Sequence, residues 1–240
     1  MLQCCICQQS VDRWLPHPQI AQRSEFMKLM RAVGSDLSVY QCPRCGCNDR
    51  DRHLRLYMEA VGLPAQMTGA RVLHLAPEAH LERWIQQLQP ARYVRGDLHP
   101  TRPGHVKLDA EQLPFDDGSF DLIICNHVLE HVSSPERALA EFRRCLGPKS
   151  LLIAQTPFAP LLKKTFELDE TPTPDFAKLF YGQEDHVRLF GADIVDYFRG
   201  AGFQGSLLAH EAVLPKVDAQ ASGCNALEPF FLFYTPGQPQ

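Results

Sequence analysis

The stretch RVLHLAPEAH, Arg71 to His80, constrains this chain more than any other. Val72, Leu73 and Leu75 read as a short buried strand. Beyond Ala76-Pro77, the residues Leu81, Trp84, Ile85 and Leu88 recur at i, i+3, i+4 and i+7, the spacing of an amphipathic helix. A strand that passes through a tight turn into a helix is the first half of a βαβ unit. In an open α/β sheet the ligand sits over such a turn, at the carboxyl ends of the strands. A nucleotide-binding loop normally carries glycines at this place, and this loop has none.

The chain beyond it repeats the alternation. Tyr93-Val94 forms a second strand that ends at Gly96-Asp97, and Val106 to Leu108 a third that ends at Asp109-Ala110. Asp121 to Cys125 (DLIIC) is the strongest strand pattern, and Asn126 and His127 emerge at its carboxyl end. Ser134-Pro135-Glu136 starts a helix with proline in the first turn; Gly147-Pro148 stops it, and Ser150 to Ala154 is the next strand. Buried strands alternating with amphipathic helices predict an α/β fold with a doubly wound, mostly parallel sheet. Asp97 lies ~23 residues past His74, where an acidic residue at the tip of the second strand can accept from ribose hydroxyls. Residues 157–190, rich in proline and acidic groups, are too long for an ordinary connection and are expected to cover the active site. Ser206 to Val213 and Pro229 to Tyr234 are expected to close the sheet as an antiparallel pair.

The N-terminal part has a different character. Of 9 cysteines, six crowd before residue 48, with Cys-x-x-Cys pairs at Cys4/Cys7 and Cys42/Cys45. Two such turns can close a tetrahedral thiolate shell around zinc with Zn–S near ~2.3 Å. Cys5 and Cys47 are substitute ligands, but the spacing favours the other four. The expected organisation is a small zinc-binding module with a linking helix over residues 1–62, then an α/β domain over 63–240, the stop at Gly62 and Pro64 marking the boundary.

Composition narrows the rest. The 240 residues are 45% hydrophobic and 22% charged with a formal net charge of −4, which gives no general attraction to nucleic acid or anionic membrane. The start lacks a basic and an apolar signal region, no apolar run suits a membrane span, and cysteine crowding fits a reducing compartment; a cytoplasmic location is expected.

The block VKLDAEQLPFDDGSFDLIICNHVLEHV, followed by a helix and GPKSLLIAQTP, resembles the class I S-adenosylmethionine-dependent methyltransferases of the type 11 group. CCIC, RWLP, CPRCGCNDRDRH, VLHLAPE and GQEDHVRLFG resemble a narrower subgroup with a cysteine-rich N-terminal module and an APE loop in place of glycines. The resemblance implies a seven-stranded sheet of order 3-2-1-4-5-7-6 with the seventh strand antiparallel, and S-adenosylmethionine as cofactor. It implies that His74, Ala76, Pro77 and Glu78 lie against the methionine part, Asp97 and Leu98 at ribose and adenine, Asp109 and Ala110 at the adenine edge, and Asn126 and His127 at the sulfonium end. His74 stands where the family has an acidic residue, and Glu78 is expected to supply that carboxylate.

His186 and Arg188, straight after the cover, are the candidates for substrate contact, with a surface ion-pair cluster as the alternative; His131 is a weaker candidate whose alternative is helix packing. The acceptor is expected to be a small molecule, a sugar or a carrier-bound peptide group. Two further readings stand beside this one. The first is an RNA methyltransferase gripping its substrate through Arg44, Arg50, Arg52, His53 and Arg55. The second, motivated by the absent glycines, is a non-enzymatic zinc-dependent binding module on a degenerate methyltransferase fold.

Overall fold

The structure is a computed structural model that describes residues 2–20 and 24–237. In chain order its elements are β1 (Leu2–Gln3), β2 (Ser10–Val11), α1 (Glu25–Leu29), α2 (Asp49–Ala60), α3 (Leu63–Met67), β3 (Arg71–Leu75), α4 (Ala79–Gln87), β4 (Arg92–Asp97), β5 (Val106–Lys107) and β6 (Phe120–Cys125). They continue with α5 (Pro135–Cys145), β7 (Leu146–Ile153), β8 (Phe166–Glu167), α6 (Pro174–Phe180), β9 (Arg188–Leu189), α7 (Ile194–Gly200), β10 (Gln204–Leu208), α8 (His210–Val213), α9 (Ala219–Ser222) and β11 (Phe230–Tyr234).

Seven strands form one sheet in the order β10-β11-β7-β6-β3-β4-β5. Counted along the chain within the sheet this is 6-7-5-4-1-2-3, the expected order read from the other edge. The pairs β3–β4, β3–β6, β4–β5 and β6–β7 are parallel, and β11 runs antiparallel to both neighbours. Side-chain alternation loads both faces. Leu73, Ile123, Phe231 and Phe233 join α5 and α7 on one face, while Val72, Leu122, Ile124 and Phe230 join α2, α3 and α4 on the other. One late detail differs from the sequence reading. The run expected from Ser206 to Val213 stops as a strand at Leu208, and residues 210–213 form α8 instead. His210 is drawn into the interior, where its Nδ1 meets His53 Nε2 at 2.9 Å, and that inward turn ends the ladder.

The N-terminal residues are fused to the sheet domain. Asn48 and Asp51 form a reciprocal capping box that starts α2, and this helix buries Leu54, Tyr57 and Met58 in the core shared with α4. Arg52 is fully buried, donates to the carbonyls of Cys47, Val39 and Gly223, and stacks 4.1 Å from the Trp14 ring. Ahead of α2, Met27 and Ala32 pack against Ala177, Tyr181 and Leu189 of the covering segment, and Val33 bridges antiparallel to Phe158. Within that segment β8 and β9 pair antiparallel and α6 lies between them.

Candidate active site

The loop after β3 explains how the chain dispenses with glycine. Ala76 adopts φ 46°, the left-handed conformation that glycine normally supplies, and its N–H donates to Gly96 O at 2.8 Å. Arg102 donates to Pro77 O and to Glu82 and so holds the loop from below. For an alanine the left-handed region costs roughly 1–2 kcal/mol relative to the right-handed one. Against the roughly 0.5–1 kcal/mol of extra backbone entropy a glycine loses, Ala76→Gly is expected to leave stability unchanged or raise it by up to about 1 kcal/mol. Ala76→Val is expected to lower it, because a branched side chain is worse there. Thermal melts of the two variants check both signs; a clear loss for glycine would remove the strain.

Beside this turn the expected cofactor residues divide into holders and surfaces. His74 has no exposure and both ring nitrogens are engaged, Nδ1 with Tyr93 Oη at 2.9 Å and Nε2 with Glu78 Oε2 at 2.8 Å. It therefore orients Glu78 and has no free atom for a ligand, which corrects its expected direct contact. Asn126 does the same from the end of β6, donating to Glu78 Oε1 at 3.1 Å and accepting from the Gln155 N–H at 3.0 Å. Burial pushes the Glu78 carboxyl up, but the hydrogen bonds and charge of His74, with Asn126, outweigh it and hold it below the ordinary range. Its side chain keeps 21% exposure, and the carboxylate is held ionised and oriented by these two partners. Asp97 at the tip of β4 accepts from the His99 N–H at 2.8 Å, and Leu98 beside it is 49% exposed. Asp109 is exposed after β5, with its Oδ1 on the Glu111 N–H at 2.9 Å, and Ala110 is buried behind it.

His127 is the second strained strand end, with φ 53° and its N–H on Gln155 O at 2.7 Å. Strain of this kind persists only where surrounding structure enforces it, and it gathers at functional sites. His127 lines a cavity of about 730 Å³ whose other walls include Tyr40 and Arg50 from the N-terminal part and Tyr181, Asp185 and His186 from the cover. Beneath His127 lies Glu130, 1% exposed, with Oε1 at 3.3 Å from His127 Nδ1 and Oε2 accepting from Thr156 Oγ1 at 2.9 Å. Burial raises this carboxyl, yet His127, then His186 and His131, pull it down to about 2. Glu130 was not among the candidates drawn from the sequence; its one-turn spacing from His127 was the available signal.

The substrate-side candidates separate. His186 is 3% exposed and joins the cavity wall. His131 packs edge-on to it, ring centroids 4.7 Å apart. Arg188 does not face the cavity with a free group: it donates to Glu167 through Nε and Nη2 at 2.9 and 2.7 Å and to the carbonyls of Leu129, Val132 and Ser133. Its five hydrogen bonds fill its donor capacity, so it is a buried clamp between cover and sheet, neither a substrate contact nor part of a surface cluster with Glu184 and Asp185.

At the N-terminus the thiols of Cys4, Cys42, Cys45 and Cys47 lie within 4.8 Å of one another. Cys4 Sγ is 3.5 Å from Cys47 and 4.0 Å from Cys45, and none of the cysteines is in a disulfide. Tetrahedral Zn–S bonds of ~2.3 Å set the sulfurs ~3.8 Å apart, so the donors fit zinc. The N–H groups of Arg44 and Arg52 reach the sulfurs of Cys42 and Cys47 at 3.4 and 3.5 Å, a thiolate-stabilising pattern. Cys47 thus enters the cluster that spacing assigned to Cys7, while Cys7 interacts with Cys4 and Cys45 beside it. CPRCGC turns back on itself, with Cys42 N donating to Cys47 O, which brings the third thiol inward.

Residues 63–154 match the Methyltransf_11 family, described as a methyltransferase domain. Thiol S-methyltransferase TMT1B of Homo sapiens is 35% identical over 85 residues, 35% of this chain. The match spans about a third, 33%, of that relative. A Mesorhizobium loti S-adenosylmethionine-dependent methyltransferase structure superposes with TM-score 0.52 at 17% identity, covering 76% of this chain and 96% of that one. The fold is that of the class I methyltransferases. The same architecture extends over 93% of this chain and 99% of a cyclase, SpnF, with TM-score 0.52 and 15% identity. A fold that also carries cyclase chemistry leaves activity to be argued from the site. Among the described residues no helix is long and apolar enough to cross a membrane.

Proposed function

We propose that this protein transfers a methyl group from S-adenosylmethionine to a polar acceptor of small-molecule size held in the cavity beside His127. The observation that carries this reading is the row of strand ends: an ionised Glu78 held by His74 and Asn126, then Asp97 with exposed Leu98, then Asp109, all on the side of the sheet where class I folds hold their ligand. Glu78 would accept from the ammonium of the methionine part, Asp97 from ribose hydroxyls and Asp109 from the adenine amine. The cofactor supplies a methyl on a good leaving group. The chain's part is to align the acceptor, and orientation alone contributes roughly 7–11 kcal/mol. A cavity of about 730 Å³ lies within the range of small-molecule sites.

Calorimetry on the intact protein is expected to show S-adenosylmethionine binding. Asp97→Ala is expected to weaken it about 10- to 150-fold, from the roughly 1.5–3 kcal/mol of hydrogen bonds to a charged group. Absence of binding to the intact protein would overturn the reading. Binding without transfer of labelled methyl to any component of a lysate would favour the non-enzymatic alternative. Less supports the nucleic-acid reading: of its five residues Arg52 and His53 are buried and Arg55 pairs with Glu59 at 2.8 Å over the Trp84 ring, which leaves Arg44 exposed and Arg50 on the cavity wall. For the N-terminal cluster the same reasoning gives a structural zinc on Cys4, Cys42, Cys45 and Cys47. No cysteine lines the cavity, which speaks against a zinc that activates a substrate thiol.

A further inference from the structure

Glu130, His131 and His186 each place one potential ligand atom within 4.8 Å of the others, apart from the thiolate cluster, and His186 carries the group to the wall of the acceptor cavity. The hydrogen bonds around the two rings fix which atoms are available. His186 Nδ1 lies 2.8 Å from Tyr181 O, and His131 Nδ1 lies 3.1 Å from Asp185 O. A carbonyl oxygen only accepts, so Nδ1 carries the proton in both rings and each Nε2 keeps its lone pair. A ring N–H donated to a backbone carbonyl, leaving the other nitrogen bare, is the support pattern of metal-bound histidines. His186 Nε2 has no hydrogen-bond partner although the residue is 3% exposed. A bare acceptor buried that deeply lacks what a bound group would give it. Glu130 is anchored through Thr156 and His127, and each of its oxygens retains a second lone pair.

We propose that Glu130, His131 and His186 bind a divalent first-row transition metal whose remaining coordination positions open into the acceptor cavity. Two imidazoles and one carboxylate favour manganese, iron, cobalt or zinc over magnesium or calcium, which take oxygen. The metal's role rests on the methyl-transfer reading. It implies an acceptor bearing a hydroxyl: a metal held by these residues would lower the pKa of that hydroxyl, whose proton would pass to water in the open cavity. The oxygen's electron pair forms the bond to the methyl carbon, and the carbon–sulfur pair leaves with sulfur. The products are a methyl ether and S-adenosylhomocysteine.

The test is a Mn2+ titration of the full chain carrying zinc at its thiolates, followed by loss of the free-ion electron paramagnetic resonance signal. The intact protein is expected to take up one Mn2+. His186→Ala, and His131→Ala at a position 31% exposed and so tolerant of change, are each expected to weaken uptake at least about tenfold, as even loss of a supporting partner does. Failure to bind Mn2+ at millimolar concentration, or equal binding by the folded His131→Ala protein, overturns the site. Because the titration contains no cofactor, a chain that binds Mn2+ but not S-adenosylmethionine supports the metal site and sinks only the methyl-transfer reading.

Discussion

Serine in place of Cys42 is expected to strip the N-terminal cluster of the zinc proposed for it and to lower stability. The local core there is slight: Cys4, Val11, Trp14, Cys42 and Cys47 make up its buried members, three of them proposed ligands. With so little apolar surface, the proposed zinc would be the main local source of folding free energy, and apparent values for structural zinc run roughly 10–16 kcal/mol in isolated fingers. Part of that loss is absorbed here because Arg52, α2 and the Val33–Phe158 bridge tie the segment to the sheet. A loss of at least about 3 kcal/mol is still expected, which for a chain of this size lowers the melting temperature by about 6–12 °C. Elemental analysis should find about one zinc in untreated protein and little in Cys42→Ser, and a chelator should reproduce the shift in the melt. Zinc near zero in protein never exposed to chelator would remove the metal from this cluster. Cys47→Ser should behave as Cys42→Ser does, with Cys7→Ser milder; the reverse order would return the site to the two Cys-x-x-Cys pairs.

The second large effect is expected at Arg188. Alanine there leaves the carbonyls of Leu129, Val132 and Ser133 without their donor and Glu167 without its partner. Leaving a buried acceptor without its donor costs about 1–3 kcal/mol, whereas Glu167, 39% exposed, can be rehydrated; with three carbonyls affected a loss of about 3 kcal/mol is expected, or about 6–12 °C in the melt. Lysine should recover little, because a single ammonium cannot reproduce the two-pronged contact to Glu167 together with three carbonyls. The carbonyls lie on the turn that carries Glu130 and His131, so the variant should also lose methyl transfer beyond what its stability predicts. S-adenosylmethionine affinity should hold at temperatures where the variant stays folded, since the cofactor residues lie on other strand ends. Equal loss of both would show Arg188 acting on the whole domain rather than on the acceptor end.

Arg188 also shows where sequence reading reaches its limit. Its position after the cover marked it as special, and it is special, but the same pattern suits a group that grips substrate and one that grips backbone. Only the positions of Leu129, Val132 and Ser133, more than fifty residues earlier, distinguish the two. The sheet, by contrast, was readable because each strand's burial is written locally in Val72-Leu73, Leu122 to Cys125 and Phe230 to Phe233. The missing glycines were readable as an absence and not as their solution: nothing local announces that Ala76 takes a positive φ, which Gly96 and Arg102 impose from elsewhere. Cys47 was misjudged for a related reason, since counting residues between thiols ignores how CPRCGC folds back through its Cys42–Cys47 backbone bond.

The cavity's construction bears on how such a protein can diversify. Most of its walls come from two segments far apart in the chain, around residues 17–50 and 178–186, with His127 and Pro157 between them, and the Val33–Phe158 bridge ties the first segment to the start of the cover. The residues proposed to hold the cofactor belong instead to the strand ends between 74 and 110. Exchange of wall residues between related chains could therefore redirect which compound is modified while leaving the donor's seat intact. A chain shortened to begin at residue 63 would lose one wall of that cavity together with α2, whose Leu54, Tyr57 and Met58 belong to the core shared with α4, so the acceptor pocket and the sheet domain stand or fall together.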